Sequence, residues 1–252
     1  MLLTARSSTV IMGIKKMKIH MITPVFSPTC RLFRQKWFYF SAIATIFCLW
    51  ADLGTENWQL LQSFRLAEGG ADLTTLLFTA LTGTSASLSL PLLAALPFSA
   101  NAGQEIRSRA AYFFVFRCGY SRYLTGQLLA LSLAACLSQL LGLIFFCLLL
   151  TALGASFQTA LTSSGVGTLL LCRLLTAVSF AHLGCIGALV TKDSACALVT
   201  PVAFSLFFTM LQERFFSDTL NFLLLPALAL AFLIVSLFLN AILLHLEVRR
   251  HA

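Results

Sequence analysis

The 252-residue chain is 59% hydrophobic and only 10% charged, and a mean hydropathy of +0.91 excludes a water-soluble domain, because so few charges cannot cover so much apolar side chain. The formal charge of +8 does not point to nucleic acid, since the basic residues are spread over several loops rather than gathered on one folded face. The expected fold is an all-α polytopic membrane protein with six transmembrane helices. No apolar run alternates as a membrane β-strand does, and helices then remain the way to satisfy the backbone in lipid.

Residues 1–36 form a basic tail whose Lys15, Lys16 and Lys18 read as topology-setting charge with some affinity for lipid surfaces. Met1, Met12, Met17 and Met21 are all possible starts. The tail has no continuous apolar stretch of the kind a cleaved leader carries. The first span is expected over Trp37 to Trp50 and the second over Leu73 to Phe98, each judged against the ~20 residues that cross about 30 Å of hydrocarbon. The second span carries a Thr/Ser cluster before Pro91 and Pro97, which predicts a kink or break near its end. Its Thr82, Ser85 and Ser89 are candidates for a polar substrate path, the simpler reading being hydroxyls that satisfy backbone groups around the proline.

Ser99 to Arg122 packs five charges between two apolar runs. As a helix it places Ile106, Ala110, Phe113 and Phe114 on one stripe and sets Glu105, Arg107 and Arg109 mostly off it, which predicts an amphipathic segment lying along a surface. Glu105 four residues before Arg109 is the favourable order for a pair on one helix face.

The third span is expected over Leu124 to Leu153, the fourth over Leu174 to Val190, the fifth over Ala195 to Leu211 and the sixth over Leu223 to Leu246. Arg173, placed at the outer start of the fourth, is expected to snorkel to the interface. His182 is the one histidine deep in a span, where an ionisable group marks either a polar contact within the bundle or a substrate path. Gly184, Gly187 and Ala188 make a small-residue face suited to close helix packing. Only Thr191 to Ser194 separate the fourth and fifth spans, which predicts a tight antiparallel pair. With the N-terminus inside, the inner segments hold 14 of the 17 Lys and Arg, so both termini are expected to face the cytoplasm, as in a multi-pass cell-membrane protein.

No catalytic, cofactor or metal site is expected. The eight cysteines show no CxxC spacing, and the chain has no GxxxxGK[ST] or GxSxG. Ser164 and His182 would stand about 27 Å apart on one continuous helix, too far for base activation.

The order of features in PLLAALPFSANAGQEIRSRAAYFFVFRCGYSRYLTGQLLA, and the short turn in GALVTKDSACALVTPVAF, resemble ABC-2 type transporter permeases. Gln127 stands where many relatives carry Lys. The resemblance implies a six-helix permease domain over residues 37–252, working as a homo- or heterodimer with a second permease copy and with an ABC-type ATPase subunit, to export an amphipathic, peptide-like or drug-like substrate. It also implies that Ser99 to Arg122 is the cytoplasmic coupling helix, with Phe113, Phe114 and Phe116 as anchors and Glu105, Arg107, Arg109 and Arg117 as the polar surround. An integral membrane enzyme, or a non-transporting immunity or sensor component, stays open beside the permease.

Overall fold

The computed structural model describes residues 35–56, 73–153, 155, 164–215 and 226–251; residues 1–34 of the basic tail and the loops around Arg65 and Asp218 lie outside these. The described residues are helical, with no strand among them. They form α1 (Lys36–Glu56), α2 (Leu73–Thr82), α3 (Thr84–Ala95), α4 (Ser99–Arg107), α5 (Ala110–Cys118), α6 (Tyr120–Ala152), α7 (Ser164–Thr191), α8 (Cys196–Phe215) and α9 (Pro226–His251). Four helices, α1, α6, α7 and α9, are long and apolar enough to cross a membrane, or five spans if the bent α2 to α4 stretch counts as one. The protein is thus a helical membrane protein. The apolar part of α8, Cys196–Met210, is shorter than the six-span expectation requires. At 33 residues, α6 is about 50 Å long and must tilt or project beyond the hydrocarbon.

Helix α7 is the hub, packing against α2, α3, α4, α6, α8 and α9. Its seam with α6 is built from small side chains, Ala130, Ala134 and Ala135 facing Ala177, Ala181 and Cys185, which brings the backbones close where lipid supplies no hydrophobic drive. A second apolar cluster, with Leu49, Leu73, Leu77, Phe146 and Leu169, joins α1, α2, α6 and α7. The small-residue face of α7 is used as expected: a Cβ on Gly184 would lie 2.5 Å from the carbonyl oxygen of Ala197.

Two differences from the sequence expectation matter for the site. Helix α7 starts at Ser164, ten residues before the expected span, so Arg173 lies within the helix instead of at its outer end. The second span breaks at Gly83, where the two arms bend by 75° and where the sequence indicated nothing; α3 runs through Pro91 and ends at Ala95, with Pro97 in the turn before α4, so the break expected near the end of the span is present there. The physical reason is local. Pro91 has no N–H for the carbonyl of Ser87, and Ser205 on α8 donates its hydroxyl proton to that carbonyl at 3.1 Å, so the helix continues.

Candidate functional site

The break at Gly83 is held by opposite charges on opposite helix ends. Glycine offers no capping side chain, and the cap comes from α1: Asp52, fully buried, accepts from the backbone N–H of Ser85 at 2.8 Å and of Ala86 at 2.6 Å. A carboxylate at the first amides of α3 satisfies orphan donors and meets the positive end of the helix dipole. Asp52 approaches so closely that a Cβ on Gly83 would stand 2.2 Å from its Cγ. The other arm is served from α7, where Arg173 Nη2 donates to the carbonyl of Leu81 in the last turn of α2, putting a cation at the negative dipole end. Arg173 and Asp52 also attract each other across the junction. The expected snorkelling of Arg173 is therefore corrected: the guanidinium is bound to a backbone carbonyl inside the bundle.

Beside this clasp is a cavity of about 40 Å³ whose walls come from α1, α2, α3, α6, α7 and α8. Its polar lining includes Thr45, Gln139, Arg173, Thr176 and Ser205. Burial without a partner is costly for such groups, yet Arg173 Nε and Gln139 Nε2 are buried donors with no protein acceptor.

A separate polar chain runs through His182, which is fully buried on α7. Asn240 Nδ2 on α9 lies 2.8 Å from Nδ1 and Ser132 Oγ on α6 lies 3.0 Å from Nε2. With the amide donating to Nδ1, Nε2 carries the proton and donates to Ser132, whose own proton goes to the carbonyl of Leu128 at 2.9 Å. In that sense of donation the imidazole gives to the hydroxyl and takes nothing from it, which ties three helices together and leaves the serine unactivated. Ser164, considered with His182 from the sequence, lies at the start of the same helix.

The amphipathic segment forms two helices and not the one expected. Arg109 adopts a left-handed φ of 60°, which ends α4 and redirects the chain into α5. Each piece has its own tether: Ser99 Oγ donates to the carbonyl of Ala181 at 3.0 Å, while Phe114 stacks on Tyr123 with centroids 6.4 Å apart. Glu105 turns inward, accepting from Tyr123 Oη at 3.1 Å and from Gln127 Nε2. Phe113 and Phe116 face outward, 79% and 96% exposed, among exposed Arg107, Arg109 and Arg117. Arg107 and Arg109 also border a groove of about 530 Å³ together with Lys192 and Glu247.

Of the second-span candidates, Thr82 donates to the carbonyl of Phe78 at 2.8 Å and Ser89 to that of Ser85, so both hydroxyls return to their own helix. Ser85 joins the junction through its backbone N–H, and Ser87 is the cluster member that lines the cavity. The sequence reading missed Asp52, Ser132, Gln139 and Asn240. Its available signal for Gln139 and Asn240 was an amide side chain inside an apolar run. Comparison of the chain with protein-family models, with curated proteins and with solved structures finds no match.

Proposed function

We propose that this protein is the membrane-spanning permease subunit of an ATP-binding cassette exporter, inserted in the cell membrane and driven by a separate ATPase. The observation that carries the reading is the pair of exposed phenylalanines, Phe113 and Phe116, set among arginines on a short helix between two apolar stretches. Large aromatic side chains exposed beside cations are anchors awaiting a groove with an acidic rim. The tethers of α4 and α5 to α7 and α6 would pass a push on this surface directly to the hub helix and to the junction it holds. The polar cavity inside the bundle supports a cargo path, and a broken span beside it has the form of the discontinuous helices that transporters use at their sites. The ABC-2 resemblance supplies the identity of the partner as an ATPase.

The test is to purify the full chain with a P-loop ATPase encoded beside it and to measure ATP hydrolysis in proteoliposomes. The parent should form a stable complex, and Phe113→Ala combined with Phe116→Ala should abolish it while leaving membrane insertion unchanged. Truncated anchors commonly cost about 2 kcal/mol or more each at an interface. Retention of the ATPase by the double variant at parental affinity would sink the docking assignment.

A further inference from the structure

We infer that the groove between α4, α7 and α9 seats the phosphate head group of an anionic phospholipid whose acyl chains stay in the surrounding bilayer. Its cations come from two separate parts of the chain. Arg107 and Arg109 stand at the end of α4 and Lys192 at the end of α7, all three exposed, and together they border a space of about 530 Å³, the size of a small-molecule site. The floor is small and apolar: a Cβ on Gly103 would lie 3.4 Å from that of Ala188, with Ile106 and Leu189 beside them.

The acids that could neutralise these cations are engaged elsewhere. Glu105 accepts from Tyr123 and Gln127, Asp193 accepts from the backbone N–H of Ala195 at 3.1 Å, and Glu247, the acid in the groove wall, lies 3.9 Å from Arg250. Arg107, Arg109 and Lys192 take part in no ion pair among the described residues. A helix C-terminus carries about half a negative charge, which accounts for one cation at the end of α4 and not for two. The backbone adds a second observation. Arg109 and Lys192, with φ of 60° and 57°, are the two non-glycine residues of positive φ among the described residues. Glycine is the residue that fits this conformation without strain, so the chain keeps a charged side chain at both places, and strain of this kind gathers at binding sites. A general excess of positive charge at one membrane face requires neither this convergence nor this backbone.

Depth selects a lipid and not a soluble anion. The α7 span ends at Thr191, one residue before Lys192, and the α9 span runs through Glu247 to Arg250, so the groove opens where hydrocarbon gives way to head groups. Val190 and Leu246, next in the chain to groove residues, are exposed and offer apolar side chains to acyl chains that need no pocket of their own. Basic pockets at the ends of spans are suited to acidic head groups. Phe113 and Phe116, the anchors of the proposed docking surface, are not in the groove walls, and the inference stands without the permease reading.

The experiment uses the full chain in mild detergent without any ATPase, and native mass spectrometry counts the lipids retained as each is titrated. Dioleoylphosphatidylglycerol is expected to saturate, bound at least about tenfold more tightly than dioleoylphosphatidylcholine, which has the same phosphodiester and chains but no net charge. Glycerol 3-phosphate, a head group without chains, should also be at least about tenfold weaker. Arg109→Gly combined with Lys192→Gly removes two charges where glycine is the unstrained residue, and should weaken phosphatidylglycerol by about tenfold or more; if it does not fold, Arg107→Gln combined with Lys192→Gln decides. Lys36→Gln combined with Arg122→Gln removes two exposed cations outside the groove and should leave that affinity within about twofold. Equal binding of phosphatidylcholine would mean a plain lipid contact, and equal binding of glycerol 3-phosphate a free-phosphate site. Equal losses in the groove and control variants would mean a diffuse field only. Absence of saturable phosphatidylglycerol binding to the folded parent would leave charge that sets topology or meets an acidic protein. Any of these four outcomes, or a folded groove variant with parental affinity, overturns the inference.

Discussion

Gly83 and Asp52 form one unit, and the unit can be taken apart residue by residue. Gly83→Ala drives a methyl group into the Asp52 carboxylate, and overpacking of this kind costs about 1–3 kcal/mol. Asp52→Ala leaves the amides of Ser85, half-buried, and Ala86, buried, without their acceptor and removes the charge that faces Arg173, so a loss of about 3–5 kcal/mol is expected. Thermal unfolding in mild detergent measures both. In a double-mutant cycle with Arg173→Met, the combined loss should fall short of the sum of the single losses, because each single variant strands the other charge; strict additivity would mean that the two residues act independently. Little of this was legible in the chain. Arg173 follows a stretch rich in Ser and Gly, residues 163–167, which reads as loop, and a residue thought to begin a helix is assigned to the interface. His182 stood out as an ionisable group in a span, but Ser132 and Asn240 lie 50 and 58 residues away, a separation that no local pattern spans.

At the scale of the helix, prolines mark where a hydrogen bond is missing and not where a helix must end. Both Pro91 and Pro201 lie inside continuous helices. The carbonyl four residues before each is met from outside, that of Ser87 by the Ser205 hydroxyl and that of Ala197 by close approach of Gly184, where a Cα–H contact fits. Ser205→Ala should therefore cost about 1 kcal/mol in the parent. In a Pro91→Ala background, where an amide N–H returns to the carbonyl, it should cost measurably less. Equal losses in the two backgrounds would show that Ser205 does not serve the proline. The sequence placed a break near the end of this span, and α3 does stop at Ala95 ahead of Pro97; that Pro91 is carried through was not legible, since the compensating hydroxyl sits more than a hundred positions later, nor was the earlier break at Gly83. The amphipathic segment was recognised by its periodicity, but periodicity carries no sign of the left-handed turn at Arg109 that splits it, nor of which phenylalanine turns in.

At the scale of the molecule, the number of crossings and the side of each loop are linked by parity. If the bent α2 to α4 stretch and α8 both cross, the chain makes six crossings, and Arg109, Lys192 and the C-terminal end of α9 share the side of α1's start. If only the four long helices cross, Arg109 and Lys192 change sides while the two ends stay together. If the bent stretch crosses and α8 does not, Arg109 and Lys192 keep their side and the end of α9 changes. The basic-residue bias favours six. Single cysteines at Arg109, Lys192 and Arg250, probed in intact cells with a membrane-impermeant maleimide, should then all resist labelling; reaction at Arg109 and Lys192 would establish four crossings, and reaction at Arg250 alone five. The helices themselves were legible because apolar runs of bilayer length leave few other options, whereas their order around α7 was not, since packing in lipid is decided by small residues and single polar bonds. The hub position of α7 also bears on the order of synthesis. The carbonyl of Leu81, the hydroxyl of Ser132 and the alanine seam of α6 all belong to parts made first, and each finds its partner on a helix that leaves the ribosome later. The newly made first half must therefore be sheltered in the membrane by its insertion machinery until that strut arrives, and a chain stopped before Ser164 would be a substrate for membrane proteases instead of a smaller version of the same protein.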